Sequence, residues 1–440
     1  MERQTEVKSE AIQLQKRISS KEIKKYQKLE NQIKVREILA APDYLYLSST
    51  EFIQHFTNLI TAKEEHNLWE SHKDYIKIIG YANRGMLETC LKYFTKIKDD
   101  LVIATTPLHH TSWRDGIEKF VKHENIHIID LNDSFNGLEK FPDIQKCDLV
   151  IITHMFGQDF DLTGLAKFKE RTGAIIIEDR VQGGTLDIKF SSDLTDLALY
   201  SMAMDKRPIA LGGAFLYIRK EHEEIAKNLL EMIMHYPLEP IRKRFIDLLK
   251  KIPTYLLYNQ RGITFLFLRI IKMLKLNLLD FTNTYRKKNP GFERNNFTLK
   301  PSKGLMKSMS QHYHDHRNME NLYEKKHMLF RSYLSNDLIQ RHFPWYREAA
   351  LTPYNTIYID EKYVNKFLRF MNRSDICIIH NPTYKMFNFS YPGDEKYSKF
   401  NSGIVYLPSL ANMNHEEIRY LADRIDRFDK VVYKNQIPQN

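Results

Sequence analysis

Three cysteines in 440 residues, Cys90, Cys147 and Cys377, are too few and too far apart for a disulfide framework or a thiolate metal cluster. Their odd number fits a reducing compartment. The sequence has no uncharged apolar run of about 18 residues, so a spanning helix is not expected. It has no compact basic stretch interleaved with aromatics, although the net charge is +11. Lys and Arg are spread throughout, which argues for a basic solvated surface and against a nucleic-acid partner. No internal repeat is apparent. The opening stretch, MERQTEVKSEAIQLQKR, is polar, so no secretory signal is expected and a cytoplasmic location follows.

What is present is enough apolar material for a sizeable core, 42% of the residues. Four regions stand out. Residues 1–75 read as a polar, largely helical extension, sparse in apolar residues over the first 45 or so. Residues 76–235 alternate between helical and strand patterns. Met86, Leu87, Leu91 and Phe94 recur at helical spacing. DLVIATT (100–106), NIHIIDL (125–131), CDLVIITHMFG (147–157), AIIIEDR (174–180), DLALYSM (196–202) and GAFLYIR (213–219) read as strands. LTGLAKFKERTG (162–173) reads as an amphipathic helix stopped by glycine. This alternation predicts an α/β fold, a mostly parallel sheet covered by helices, with ligands beyond the carboxyl ends of the strands.

Residues 236–302 read as an apolar and basic helical insertion. Arg269, Lys272 and Lys275 fall on one helix face, opposite Leu and Ile. Two readings stand for residues 245–285: a helical hairpin packed on the protein or a subunit, and a helix lying in an anionic membrane surface. Residues 303–440 read as one long helix to about 335, then a smaller α+β domain. Its strands are expected at 355–360, 376–380 and 402–408, with helices at 361–373 and 415–428. His312 and His316 have a spacing zinc can use, but no third ligand is evident, so a solvated helix face is expected and no metal is assigned.

The chemistry concentrates in AIIIEDRVQGG (174–184). A buried strand that ends on Glu178 and Asp179 needs a cationic partner at its tip. A second stretch, YSMAMDKRPIALGG (200–213), delivers Ser201 from a strand and Lys206 from the following loop. A pyridoxal phosphate cofactor accounts for these parts together. Its aldehyde requires an amine, the role of Lys206. Its ring nitrogen requires a buried carboxylate to stay protonated, the role of Asp179. Its phosphate requires backbone N–H groups at a helix start, supplied by Asn83, Arg84 and Gly85, and a hydroxyl, supplied by Ser201. His110 and Val181 are candidates to flank the ring.

These motifs resemble those of the DegT/DnrJ/StrS-type sugar aminotransferases, pyridoxal phosphate enzymes of fold type I that aminate nucleotide-linked keto-sugars. IEDRVQ (177–182) is similar to that family's IEDAAQ. YSMAMDK keeps its Ser-to-Lys gap of five, and LGGAFLYI is similar to its Gly-Gly strand, one residue sooner. VIITHMFGQDFDL matches at His154, Gly157, Gln158 and Asp161, and GIVYLPSLANMNHEEIRYLADRI resembles the closing strand and helix. The likeness covers about residues 80–220 well and 303–430 loosely.

The resemblance implies a large cofactor-binding domain, a smaller C-terminal domain and a homodimer. It implies amine transfer from an amino acid donor, glutamate being usual, to a nucleotide-sugar substrate. Lys206 would be the catalytic base and acid, and Gln182 would bond the cofactor's phenolic oxygen. His154 would contact substrate or serve as a core histidine behind the site. Relatives that dehydrate sugars carry His at the lysine position, so Lys206 implies amine transfer. Two positions depart from the family. Asn83 and Arg84 stand where Gly-Thr is usual, and Arg180 follows the aspartate where a small residue is typical. Asn296 is the candidate for a phosphate-binding asparagine from the neighbouring subunit. The departures leave a second reading, a non-catalytic scaffold or regulator on the same fold.

Overall fold

A computed structural model describes residues 48–62, 67–155, 157, 159–183, 189–203, 206, 209–259, 263, 266–267, 269–270, 273–274, 297–314, 316–345, 355–374, 376, 378, 380, 384–410 and 413–433. Its centre is an eight-stranded sheet. The strands are β1 (Trp69–Ser71), β2 (Tyr75–Gly80), β3 (Ile103–Thr105), β4 (Ile126–Ile128), β5 (Leu149–Thr153), β6 (Ile175–Asp179), β7 (Leu197–Ser201) and β8 (Ala214–Arg219). Their order across the sheet is β1-β2-β8-β7-β6-β5-β3-β4. From β7 to β4 every neighbouring pair is parallel. β8 runs antiparallel to both β7 and β2, so β2 shares the direction of the parallel set.

The expected α/β fold with a mostly parallel sheet is therefore the observed one. All five residues of β5 are buried, which requires cover on both faces of the sheet. That cover includes α2 (Asn83–Ile97), α3 (Thr111–Phe120), α4 (Leu165–Thr172) and α5 (Glu223–Met234), whose apolar residues join the strands in one core. Gly173 ends α4 at φ +67°, a left-handed turn that glycine adopts without steric cost.

β2 lies at the boundary of the stretch read as a polar extension. Its sequence, YIKIIG, carries a lysine in mid-strand. Lys77 is buried, with Nζ 3.1 Å from Glu70 Oε1 and 4.6 Å from the Phe215 ring centre. Ahead of it, α1 (Ser49–Thr61) opens with a capping box between Ser48 and Glu51 and buries Phe52, His55 and Asn58. Residues 1–47 lie outside the described residues.

The insertion carries α6 (Ile241–Leu249) and α7 (Ile252–Asn259). The described part of the stretch read as one long helix is helical over α8 (Lys303–His314) and α9 (His316–Ser332), residue 315 lying outside the described residues. His312 is not on a solvated face. It is buried and stacks on His55, ring centres 4.9 Å apart. Next come α10 (Asn336–His342), α11 (Glu361–Arg373), α12 (Asp394–Gly403) and α13 (His415–Val432), with strands Thr356–Tyr358 and Ile404–Tyr406 paired antiparallel. Of the strand expected at 376–380, residues 377 and 379 lie outside the described residues. Ile357, Phe367, Val405, Leu421 and Phe428 belong to a second core shared by these elements.

Candidate active site

Because β2, β5, β6 and β7 point the same way, Gly80, Thr153, Asp179 and Ser201 end at one edge of the sheet. Successive side chains on a strand face opposite ways, so the paired acids at the end of β6 enter different surroundings. Glu178 accepts from the Ser191 N–H at 3.1 Å and from the Ser191 hydroxyl, and its Oε1 lies 3.3 Å from Nε2 of His154. Burial raises its pKa, but the bond and charge of His154, then Arg180 and Ser191, outweigh that, and the net shift is downward.

Asp179 is in the opposite condition. Burial pushes its carboxyl up to about 7. The Val181 N–H, donating to Oδ1 at 3.1 Å, offsets part of this, as do the charges of Lys206 and His154 and the amide of Asn83. Three side chains far apart in sequence, those of Asn83, His154 and Lys206, thus converge on one carboxylate. β6 and β7 are parallel neighbours, with Asp179 opposite Leu199, which is how the chain brings Lys206 back to Asp179.

Asn83 opens α2. Its amide is buried and lies near enough to Asp179 to lower its pKa, yet neither amide atom completes a hydrogen bond. A buried, unsatisfied amide beside a carboxylate of raised pKa fits a polar, cationic ligand. The α2 start also has no side-chain cap, and its first helical bond is from Met86 N–H to Ala82 O at 3.1 Å. The N–H groups of Asn83, Arg84 and Gly85 precede that bond, as an anion site at a helix start requires. A Cβ on Gly85 would stand 2.1 Å from the Phe297 carbonyl oxygen, so only glycine permits this approach. The Arg84 guanidinium lies 5.0 Å from the Phe297 ring centre. Asn296, the residue preceding Phe297 in sequence, is outside the described residues.

Ser201 ends β7, and its Oγ accepts from the Ala203 N–H at 3.3 Å. The loop beyond it is tied down at both ends. Met202 N–H donates to Gly213 O at 3.0 Å, and Ala210 N–H to Met202 O at 2.9 Å. Gly213, at φ +93°, leaves space that Met309 fills. From α6, Arg244 donates to Leu211 O at 2.8 Å and Ala210 O at 3.1 Å, and Lys251, just beyond that helix, to Leu211 O at 3.2 Å. Sequence reasoning missed this clamp. Its only trace is a pair of basic residues inside an apolar helical stretch.

Gln182 and Val181 continue from Asp179, and the Gln182 carbonyl accepts from Gly157 N–H at 2.7 Å. Arg180, the departure from the family pattern, turns inward. It is buried, with Nε 3.1 Å from Asp159 Oδ1 and Nη2 2.5 Å from Oδ2, over the face of Tyr200. His154, expected at substrate or in the core, is fully buried, its Nδ1 accepts from Phe160 N–H at 2.8 Å, and its backbone N–H donates to Asp179 O at 3.0 Å. His110 is exposed and caps α3, its Nδ1 accepting from Ser112 N–H at 3.3 Å. Its neighbour His109 is buried between the hydroxyls of Thr105 and Thr153, at 2.9 and 2.8 Å, and burial lowers its pKa to about 4.

No family model and no curated protein matches the chain. Solved structures do match. The chain superposes on Helicobacter pylori PseC, an aminotransferase involved in the biosynthesis of pseudoaminic acid, with TM-score 0.59, 10% identity, and cover of 89% of this chain and 98% of that one. Bacillus subtilis NtdA with bound cofactor PMP gives TM-score 0.57, 13% identity, and cover of 90% and 86%. The sugar aminotransferase CalS13 from Micromonospora echinospora gives TM-score 0.56, 10% identity, and cover of 88% and 100%. The chain has the fold of these aminotransferases over nearly their whole length.

Proposed function

We infer that the protein is a pyridoxal phosphate-dependent aminotransferase that moves an amino group from an amino acid, glutamate by expectation, to a nucleotide-linked keto-sugar. One observation carries the reading. Asp179 is a buried carboxylate whose pKa burial raises, beside the orphaned amide of Asn83 and within the field of Lys206. A protonated ring nitrogen is the cation that suits it. The fold shared with the aminotransferases supports the same assignment.

The bound cofactor would supply an electrophilic carbonyl carbon and a cationic ring that withdraws electrons. Asp179 would hold the ring nitrogen's proton. Asn83, Arg84 and Gly85 would offer N–H groups to the phosphate, with Ser201 donating its hydroxyl. Val181 and His110 would flank the ring, and Gln182 would bond its phenolic oxygen. Lys206 Nζ, once released by the donor, would take the proton from the donor's α-carbon. In the second half-reaction it would deliver a proton to the acceptor carbon of the keto-sugar. Arg244 and Lys251, by holding the carbonyls of residues 210 and 211, would keep the Lys206 loop in place.

The test is a half-reaction. Purified protein loaded with pyridoxal phosphate, mixed with glutamate, should lose its visible absorbance and release 2-oxoglutarate in equal amount. A loaded protein that leaves every amino donor unchanged contradicts the reading.

A further inference from the structure

Eleven of the sixteen large apolar side chains that stand exposed among the described residues fall between positions 238 and 274, a concentration in one stretch of the chain. On α6, Ile241, Phe245 and Leu249 recur every fourth residue and face outward, while Arg244 and Leu248 face the body of the protein. The next such stretch begins at Ile263. Ile263, Leu266, Ile270, Met273 and Leu274 lie three, four, three and one residues apart, the spacing of a single helical face, and all are exposed, Leu266 at 61% and Met273 at 74%. Leu274 N–H donates to Ile270 O at 2.9 Å, as a helix requires.

The charge around this face is mostly basic, and its one acid on α6, Asp247, is paired with Lys243 at 3.0 Å. Between Asp247 and Asp280 the sequence contains no other acid, and Arg242, Lys250 and Arg269 are exposed. Arg269 is exposed on the same helical stretch as Leu266 and Ile270. A second copy of the chain is a poor occupant. A two-fold contact sets a patch against itself, and here that would bring basic groups against basic groups. Nucleic acid is also a poor occupant, because aliphatic Leu, Ile and Met side chains give bases nothing to stack on. An anionic lipid surface satisfies both halves, taking the aliphatic face into its acyl boundary and the cations at its headgroups. None of the described helices is long and apolar enough to cross a membrane, so such a helix would lie in the plane of the surface.

We propose that the exposed apolar residues Ile241, Phe245, Leu249, Leu266, Ile270 and Met273 dock on an anionic lipid surface. This rests on exposure and charge and is independent of the reaction assigned above. It has one structural consequence for the site. The helix that presents Ile241, Phe245 and Leu249 to the lipid also grips the loop after Lys206 through Arg244.

Vesicle flotation of the full chain tests the proposal. Vesicles of phosphatidylcholine with phosphatidylglycerol should carry the protein up the gradient, and pure phosphatidylcholine vesicles should carry at least about tenfold less. A double variant, Leu266→Glu with Met273→Glu, should lose about tenfold or more of this binding, and Arg269→Glu should lose several-fold and respond less to salt. All three positions are exposed, so melting temperatures should stay unchanged and serve as the folding control. Equal binding to both vesicle types overturns the proposal, as does no binding to either. If the double variant instead turns a dimer into a monomer by light scattering while the wild type stays off vesicles, a second copy covers the face and the proposal is wrong. Migration with a nucleic-acid duplex in place of vesicles overturns it equally.

Discussion

His154 Nε2 lies 3.3 Å from Glu178 Oε1, and both side chains are fully buried. The folded pKa of Glu178 is below its ordinary 4.5, because His154, Arg180 and Ser191 outweigh burial. A depressed acid contributes stability that is present above its unfolded pKa and is lost as pH falls through its folded pKa. His154→Ala should therefore cost about 3 kcal/mol at neutral pH. It should also move acid unfolding to higher pH. Urea titrations at neutral pH and near pH 4 measure both effects, and a variant with unchanged acid stability would show that His154 does not hold Glu178 ionised.

Arg180 and Asp159 form an unequal pair. The Arg180 side chain is fully buried, whereas Asp159 keeps 23% of its side chain exposed. Removing the arginine leaves Asp159 within reach of water and Glu178 still held by His154 and Ser191, but removing the acid leaves a sealed guanidinium short of its full counter-charge. Asp159→Ala should cost about 4 kcal/mol and Arg180→Ala about half that. Denaturant titration of the two variants checks the order, and the reverse order would mean that Arg180 has other support sufficient to replace Asp159.

Asp179 should trade stability for function. Its folded pKa is raised from 3.8 to about 7 by burial. A raised acid contributes stability below its unfolded pKa, and that contribution is lost as pH rises through the folded value. In cofactor-free protein, Asp179→Asn should match the wild type near pH 4 and exceed it above pH 7. The gain is at most about 4 kcal/mol, each tenfold change in proton affinity being worth about 1.4 kcal/mol. Adding pyridoxal phosphate should reverse the ranking, because only the wild type neutralises the ring. Thermal melts across that pH range, with and without cofactor, are the measurement.

Much of this site is legible in the sequence. β5, β6 and β7 are Ile-, Val- and Leu-rich runs that stop at Thr153, Asp179 and Ser201, and a parallel sheet places such ends together. Lys77 hides β2, because the sequence assigns its charge to solvent and the fold buries it against Glu70 and Phe215. His312 reads as a solvent residue because its partner, His55, stands on α1, more than two hundred residues upstream. The clamp from Arg244 and Lys251 is illegible for a similar reason, since both reach back across the chain to carbonyl oxygens, which no residue pattern marks. Between the paired acids, the strand's alternation foretells that they face opposite ways, but only the positions of Ser191 and His154 show which one is structural.

The pairing of Asp179 and Lys206 around one cofactor is tested most directly by the absorbance of the purified protein titrated with pyridoxal phosphate, wild type beside Lys206→Ala. The wild type should show a saturable visible band, one cofactor per chain, resistant to dialysis. In Lys206→Ala that band should be absent while the melting temperature of the free protein is unchanged. A band of equal strength in the alanine variant, or no band in either protein, would contradict the assignment.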